Sequence, residues 1–176
     1  MQNLRRACGM FGPMPHQFNP PMARRVFFSF HFERDVWRIN QVRNSWITRG
    51  EVAGFEKVKP SGQAAVHRWI DDNLHGTSVT VVCIGAETAQ REYVQYEIQR
   101  SLARGNGLLG VQVHNLKNVS GQTDYPGTNP FQNFYDESSG WSQPLSDIVP
   151  SYEWVYGNGY TNLGDWIETA ASKAGR

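Results

Sequence analysis

One stretch constrains the chain more than any other: SVTVVCIGAETAQREYVQYEIQRSLARGNGLLG, from Ser78 to Gly110. It opens on an apolar, β-branched run, Val79 to Ile84, of the kind found in strands buried on both faces. A short turn at Gly85 to Thr88 leads into a helix that can run to about Arg104. Gly105 is placed to end it, because glycine readily takes the left-handed conformation of a helix C-terminal cap. A second apolar segment, Leu108 to Val113, supplies the next strand. Strand, helix, strand is a parallel crossover unit, which winds right-handed. Ligands of such sheets sit beyond the carboxyl ends of the strands. The turn at Gly85 and the helix after it are therefore the candidate site.

The flanking segments extend the same alternation. RRVFFSF places Val26, Phe27, Phe28 and Phe30 in a short, bulky first strand that ends in the polar run SFHFERD. Arg34 to Trp46 reads as a helix whose apolar stripe is Val36, Ile39, Val42 and Trp46. Asp35 falls in its first turn, where a negative charge complements the helix dipole. From Ile47 to Ser61 the pattern weakens, and Val52 to Val58 leaves strand and loop both open. GQAAVHRWIDDNLHG is a helix with Ala65, Trp69, Ile70 and Leu74 as its inner face and Gly76 as its cap. After His114 comes a long connection rich in Gly, Asn, Pro and Ser, to about Pro150. Connections that long inside a domain are often functional or ordered by local turns. SYEWVYGNGY can hold a last edge strand, and Leu163, Trp166, Ile167 and Ala170 line a terminal helix.

Buried strands alternating with amphipathic helices predict an α/β fold, a three-layer sheet of flavodoxin-like or related order. With 176 residues there is room for one domain with a proper core. The expected division is a flexible or extended leader over residues 1–23, where Pro20-Pro21 resists helix, and a domain over 24–176. A net charge of +1, with no basic run or acidic tail, gives no reason to expect nucleic acid or a membrane surface as partner. The first residues lack the apolar core of a signal peptide, and two cysteines are too few for a disulfide framework, so the default location is cytoplasmic. Cys83, inside the apolar strand, reads as a small core side chain.

Several chemistries lack their signatures. There is no G-x-G-x-x-G after the first strand, no phosphate loop and no G-x-S-x-G elbow. No acidic residue ends the central strand, as a phosphoacceptor domain would require. His67, Asp71 and His75 recur at four-residue intervals, but three such ligands span about 12 Å of helix, too far to meet at one ion. No metal is assigned.

What remains is the helix carrying REYVQYEIQRS. Tyr93 and Glu97 are four apart and share a face, and Val94 and Ile98 form the neighbouring apolar stripe. Glu97 should sit beside the buried face, about 9 Å along the axis from Arg91. On spacing alone the commoner meaning of a glutamate near Arg100 and Arg104 is a solvated face with weak ion pairs.

Order and spacing of the segments RVFFSFHFERD, VRNSW, TSVTVVCIG, YVQYEI, GNGLLGVQVH and NLGDWIE resemble the bacterial TIR-like family, whose best-known members are the TIR-like proteins of the Thoeris anti-phage system. The resemblance covers most of residues 24–175. It implies a flavodoxin-like TIR fold, cleavage of NAD as substrate rather than use of any cofactor, and a catalytic glutamate on the helix after the third core strand. That glutamate is Glu97, with Tyr93 as the aromatic residue four positions before it. Common TIR domains carry tryptophan and cysteine where this chain has Tyr93 and Val94. The resemblance places the nucleotide-facing loop at Ser29, Phe30 and His31. There Ser29 can hydrogen-bond a ribose or phosphate and Phe30 can stack, while His31 is as well explained by a bond to backbone. Arg43 is the candidate phosphate contact. The implied product is a cyclic ADP-ribose isomer used as a signal in phage defence. The implied partners are a phage-derived trigger, further copies of the chain, and a separate effector protein. A non-catalytic interaction module is the competing reading, although an adaptor has no need of the Tyr93–Glu97 pair.

Overall fold

Four parallel strands carry the molecule, each hydrogen-bonded to the next in the order β1 (Val26–Ser29), β2 (Val79–Ile84), β3 (Gly107–Gln112) and β6 (Ser151–Glu153). The computed structural model describes residues 24–45, 59–137 and 140–176. The predicted leader, Trp46 and the segment Val52 to Val58 lie outside them.

All six residues of β2 are buried, because helices cover both faces of the sheet. On one face Val79, Val81 and Cys83 pack with Ile39 and Val42 of α1 (Phe32–Ser45) and with Leu163, Ile167 and Ala170 of α5 (Gly159–Lys173). On the other, Val82 and Ile84 meet Val94 and Ile98 of α3 (Glu92–Ala103). Phe27 meets Val66, Ile70 and Leu74 of α2 (Gln63–Leu74) on that same side. This is the three-layer, flavodoxin-like TIR architecture that the alternation and the resemblance predict.

Local chemistry sets the ends of the crossover. Gly105 has φ +67°, Gly105 N–H donates to Leu102 O at 2.9 Å and Asn106 N–H donates to Ser101 O at 3.0 Å, which closes the last turn of α3. Before α3, a 3₁₀ turn over Thr88–Gln90 is held by Thr88 Oγ1, which accepts from Gly85 N–H at 2.9 Å. One expectation shifts, and one gains detail. The inner face of α2 is Val66, Ile70 and Leu74, while Ala65 and Trp69 are half-buried, because the helix is rotated to seat Val66 under Phe27. Asp35 is in the first turn of α1 but fully buried, and Arg38 Nη1 donates to its Oδ1 at 3.1 Å. It sits in the first turn as expected, as an internal ion-paired group.

The long connection is ordered by its own polar residues. Asn118 Oδ1 accepts from the N–H groups of Ser120 and Gln122, and Asn129 Oδ1 accepts from Phe131 N–H in a 3₁₀ turn over Pro130–Asn133. Phe131 is fully buried against Val94 and Ile98. A two-residue pairing of β4 (Tyr135–Asp136) with β5 (Gln143–Pro144) and the single turn α4 (Leu145–Ile148) complete it. At Gly127 the connection passes so close to the end of β2 that an added Cβ would lie 1.8 Å from Gly85 O. The segment thus lies across the carboxyl edge of the sheet, where a ligand is expected.

Gly107 shows how tightly α5 seats on β3. A Cβ there would lie 2.4 Å from Ala170 O, and neither backbone has room to give. Gly107→Ala is therefore expected to lower stability by about 1–3 kcal/mol, read as a lower urea midpoint. An unchanged midpoint would mean that α5 can move off the strand freely.

Candidate active site

Glu97 projects from α3 toward the carboxyl end of β1 and keeps only 7% of its surface exposed. Its partner is Ser29, the last residue of β1. Phe27 and Ser29 are the buried residues of that strand, and they share the face that α2 and α3 cover. Ser29 Oγ donates to Glu97 Oε2 at 2.5 Å. Among the described residues no cation forms an ion pair with Glu97. Burial pushes its carboxyl up to about 8, and the Ser29 hydroxyl opposes that rise by favouring the charged form. A carboxyl so placed is unlike the solvated, weakly paired glutamate that its spacing from Arg100 and Arg104 most simply suggested.

Those arginines are engaged elsewhere. Arg100 Nε donates to Asp71 Oδ1 at 2.6 Å, and Tyr96 Oη donates to Asp71 Oδ2 at 3.0 Å. Arg104 Nη2 reaches the Asp71 carbonyl at 3.2 Å. Together they tie α3 to α2. His67, one turn before Asp71, stacks on the Tyr96 ring with centroids 3.8 Å apart. Tyr93 is half-buried against the apolar face of α2, edge-on to His67 at 6.1 Å. Behind Glu97 a buried polar chain fixes the helix: Ser101 Oγ donates to Glu97 O at 2.7 Å and lies 2.7 Å from Thr80 Oγ1 on β2.

The remaining residues singled out in the sequence divide. His31 is brought to the same edge, 6% exposed, with Nε2 2.9 Å from Glu33 and Nδ1 4.0 Å from Glu87. Burial and then the nearby Arg91 charge hold it below its ordinary range. Among the described residues its Nδ1 has no hydrogen-bond partner. Phe30 is half-buried against the core cluster on the α1 and α5 face, its ring 6.0 Å from Phe32. Arg43 is not brought to Glu97. It lies on α1, half-buried near Cys83, on the opposite face of the sheet, and desolvation lowers its pKa. The strand order separates the two: α1 follows β1 on one face while α3 follows β2 on the other.

Charged residues that the sequence reading passed over gather at this edge. Arg34 binds Asp124 through Nε and Nη2, both at 2.9 Å, and Glu87 through Nη1 at 2.7 Å. Arg38, 2% exposed, donates to Leu116 O at 2.9 Å and to Asp35. These contacts clamp the long connection onto α1. Part of the signal was present in the spacing: Glu87 and Arg91, of opposite charge, are four apart just before α3. Among the described residues, no helix is long and apolar enough to cross a membrane.

The site is therefore one buried carboxyl held by one hydroxyl, bordered by an aromatic residue on α3 and a charged rim at the strand ends. A family model described as Thoeris protein ThsB, TIR-like domain, matches residues 27–118, which take in nearly all of β1, then β2, β3 and the Ser29–Glu97 pair. The chain is also 30% identical over 191 aligned positions to the "Putative cyclic ADP-D-ribose synthase ThsB1" of Bacillus cereus (strain MSX-D12). That alignment covers 83% of this chain and 100% of that protein.

Proposed function

The chain belongs to the Thoeris ThsB family of TIR-like proteins, and on that premise we propose that it consumes NAD, breaking the nicotinamide–ribose bond and closing the remainder into a cyclic ADP-ribose isomer. The observation that carries this reading is the Ser29–Glu97 pair, a carboxyl taken out of water at the carboxyl edge of a parallel sheet.

The C1′–N bond breaks with its electron pair going to the pyridinium nitrogen, so nicotinamide leaves neutral and needs no strong general acid. Positive, oxocarbenium-like charge develops on the ribose. The Glu97 carboxylate faces that charge in a poorly solvated setting, where electrostatic stabilisation is strongest. Ser29 holds the carboxylate in place, and Tyr93 lies one turn before Glu97 on the same helix. A nucleophile on the adenine or its ribose then bonds to C1′ and loses its proton, giving the cyclic product. Attack by water at the same carbon gives ADP-ribose instead. The connection that lies over Gly85 favours the cyclic outcome by limiting water at the strand ends. In this reading a phage-derived trigger starts the reaction, and a separate effector protein senses the product.

The test is to incubate the purified chain, and lysate of phage-infected cells expressing it, with NAD, and to identify products by mass spectrometry. Nicotinamide together with a cyclic ADP-ribose isomer is the expected result. Nicotinamide with linear ADP-ribose alone would keep the cleavage and reject the cyclisation. No NAD loss under any trigger, with partner binding retained, would establish the interaction module in its place.

A further inference from the structure

Glu87, on the turn after β2, is gripped from two sides. Arg34 Nη1 donates to its Oε1 at 2.7 Å, and Arg91 Nη2 donates to its Oε2. His31 Nδ1 lies 4.0 Å from that same Oε2. Among the described residues, Arg91 Nε is buried without a hydrogen-bond partner and so has donor capacity to spare, and His31 Nδ1 is equally unpartnered, becoming a donor only when the ring takes up a proton, because Nε2 faces Glu33. An ordinary surface ion pair does not bury unused donors beside itself, because each unmet polar group costs free energy. Arg91 is moreover the N-cap of α3, and its side chain makes no capping bond to the helix amides. Positive charge and one unused donor thus converge on one carboxylate at the start of the helix that carries Glu97. The other acidic groups nearby are paired, Asp124 on Arg34, Glu33 on His31 Nε2 and Asp35 through Oδ1 on Arg38, although Asp35 Oδ2 is buried without a partner among the described residues.

We propose that Glu87 stands in for a phosphate: its carboxylate fills an anion site formed by Arg34, Arg91 and His31, and one phosphate of the NAD pyrophosphate displaces it. The inference rests on NAD being the substrate. Arg91 lies six residues before Glu97, about 9 Å along the helix axis, a span to be covered by the ribose and its 5′-phosphate together with the reach of the arginine and glutamate side chains. A phosphate carries more acceptor oxygens than a carboxylate and can use the Arg91 Nε–H, and the imidazole once it is protonated, both of which Glu87 leaves unmet. The side chain of Glu87 is 42% exposed, so it can swing into water at little cost. This assigns to Arg91 and Arg34 the phosphate contact for which Arg43 is on the wrong face.

Calorimetric titration of the full chain with ADP-ribose, inorganic pyrophosphate and nicotinamide riboside tests the site without requiring turnover. Glu87→Gln is expected to tighten ADP-ribose and pyrophosphate by about threefold, through loss of a competing surface ion pair. Arg91→Ala is expected to weaken both by about tenfold or more, the usual loss for a charge-assisted bond. Nicotinamide riboside, which has no phosphate, should respond to neither change. ADP-ribose binding that ignores both substitutions would overturn the anion site and leave the NAD reading standing. Weaker riboside binding in Arg91→Ala, matching the loss for ADP-ribose, would also overturn it, since Arg91 would then only support the fold. Glu87-dependent pyrophosphate binding without any binding of ADP-ribose or NAD would uphold the anion site and reject NAD. Failure of the wild-type chain to bind either ADP-ribose or pyrophosphate would overturn the anion site.

Discussion

Glu97→Gln is expected to cut nicotinamide release from NAD by about a hundredfold to a thousandfold, the range seen when one preorganised electrostatic group is lost from a reaction centre. Glutamine has nearly the same shape, and its side-chain oxygen can still accept from Ser29 Oγ, so the 2.5 Å contact and the packing survive. The charge is what disappears. A loss in kcat/KM confined to this variant, with ADP-ribose affinity kept, would locate the effect in the transition state. Turnover within tenfold of wild type would remove Glu97 from its assigned role. The same carboxyl should set the acid limb of the pH profile. With its pKa pushed up to about 8 in the free chain, kcat/KM should rise as pH increases through that value. Ser29→Ala should move the limb to higher pH, because the hydroxyl favours the charged form. A limb unmoved by that substitution would mean that another group controls it.

The strands were legible because burial on both faces writes itself as an unbroken apolar run. Val79 to Ile84 is read correctly to the residue, and the edges of β1 and β3 fall within a residue of their predicted ends. Helix rotation was less legible. Ala65, Val66, Trp69 and Ile70 are all apolar, and only the position of Phe27 across the gap decides that Val66 points inward. Glu97 was visible as a residue beside the apolar stripe of Val94 and Ile98, but not as a buried one. That depends on Ser29, 68 positions away, arriving at the same edge. Arg43 shows the opposite failure: a plausible residue type on a neighbouring element, separated from Glu97 by the thickness of the sheet. The order within residues 115–137 was hidden for a further reason. Its anchors are Asn side chains bonded to nearby backbone and arginines from α1, and neither leaves a hydrophobic period.

Glu97 should also make the folded chain less stable as pH rises, and its replacement should reverse this. The carboxyl titrates near 4.5 when solvated and at about 8 when folded. Between those values the folded chain binds a proton that the unfolded chain has released, so stability falls with rising pH across that window. Its contribution is complete below about 4.5 and is lost as pH climbs through about 8. The penalty at neutral pH is on the order of 3 kcal/mol, equivalent to roughly 6–12 °C in Tm for a chain of this size. Asp35, whose burial also raises its pKa, adds to the same slope, whereas Asp71 and Asp124 are held low by their arginines and lose stability as pH falls. The difference between wild type and Glu97→Gln cancels those shared contributions. Thermal unfolding of both proteins at several pH values should therefore show Glu97→Gln the more stable above pH 8, with the gap shrinking toward pH 5. A gap that does not vary with pH would mean that Glu97 is not desolvated in the folded chain. The expected pattern, an inactive variant that is more stable than its parent, is that of a group buried against its own solvation for the sake of the reaction.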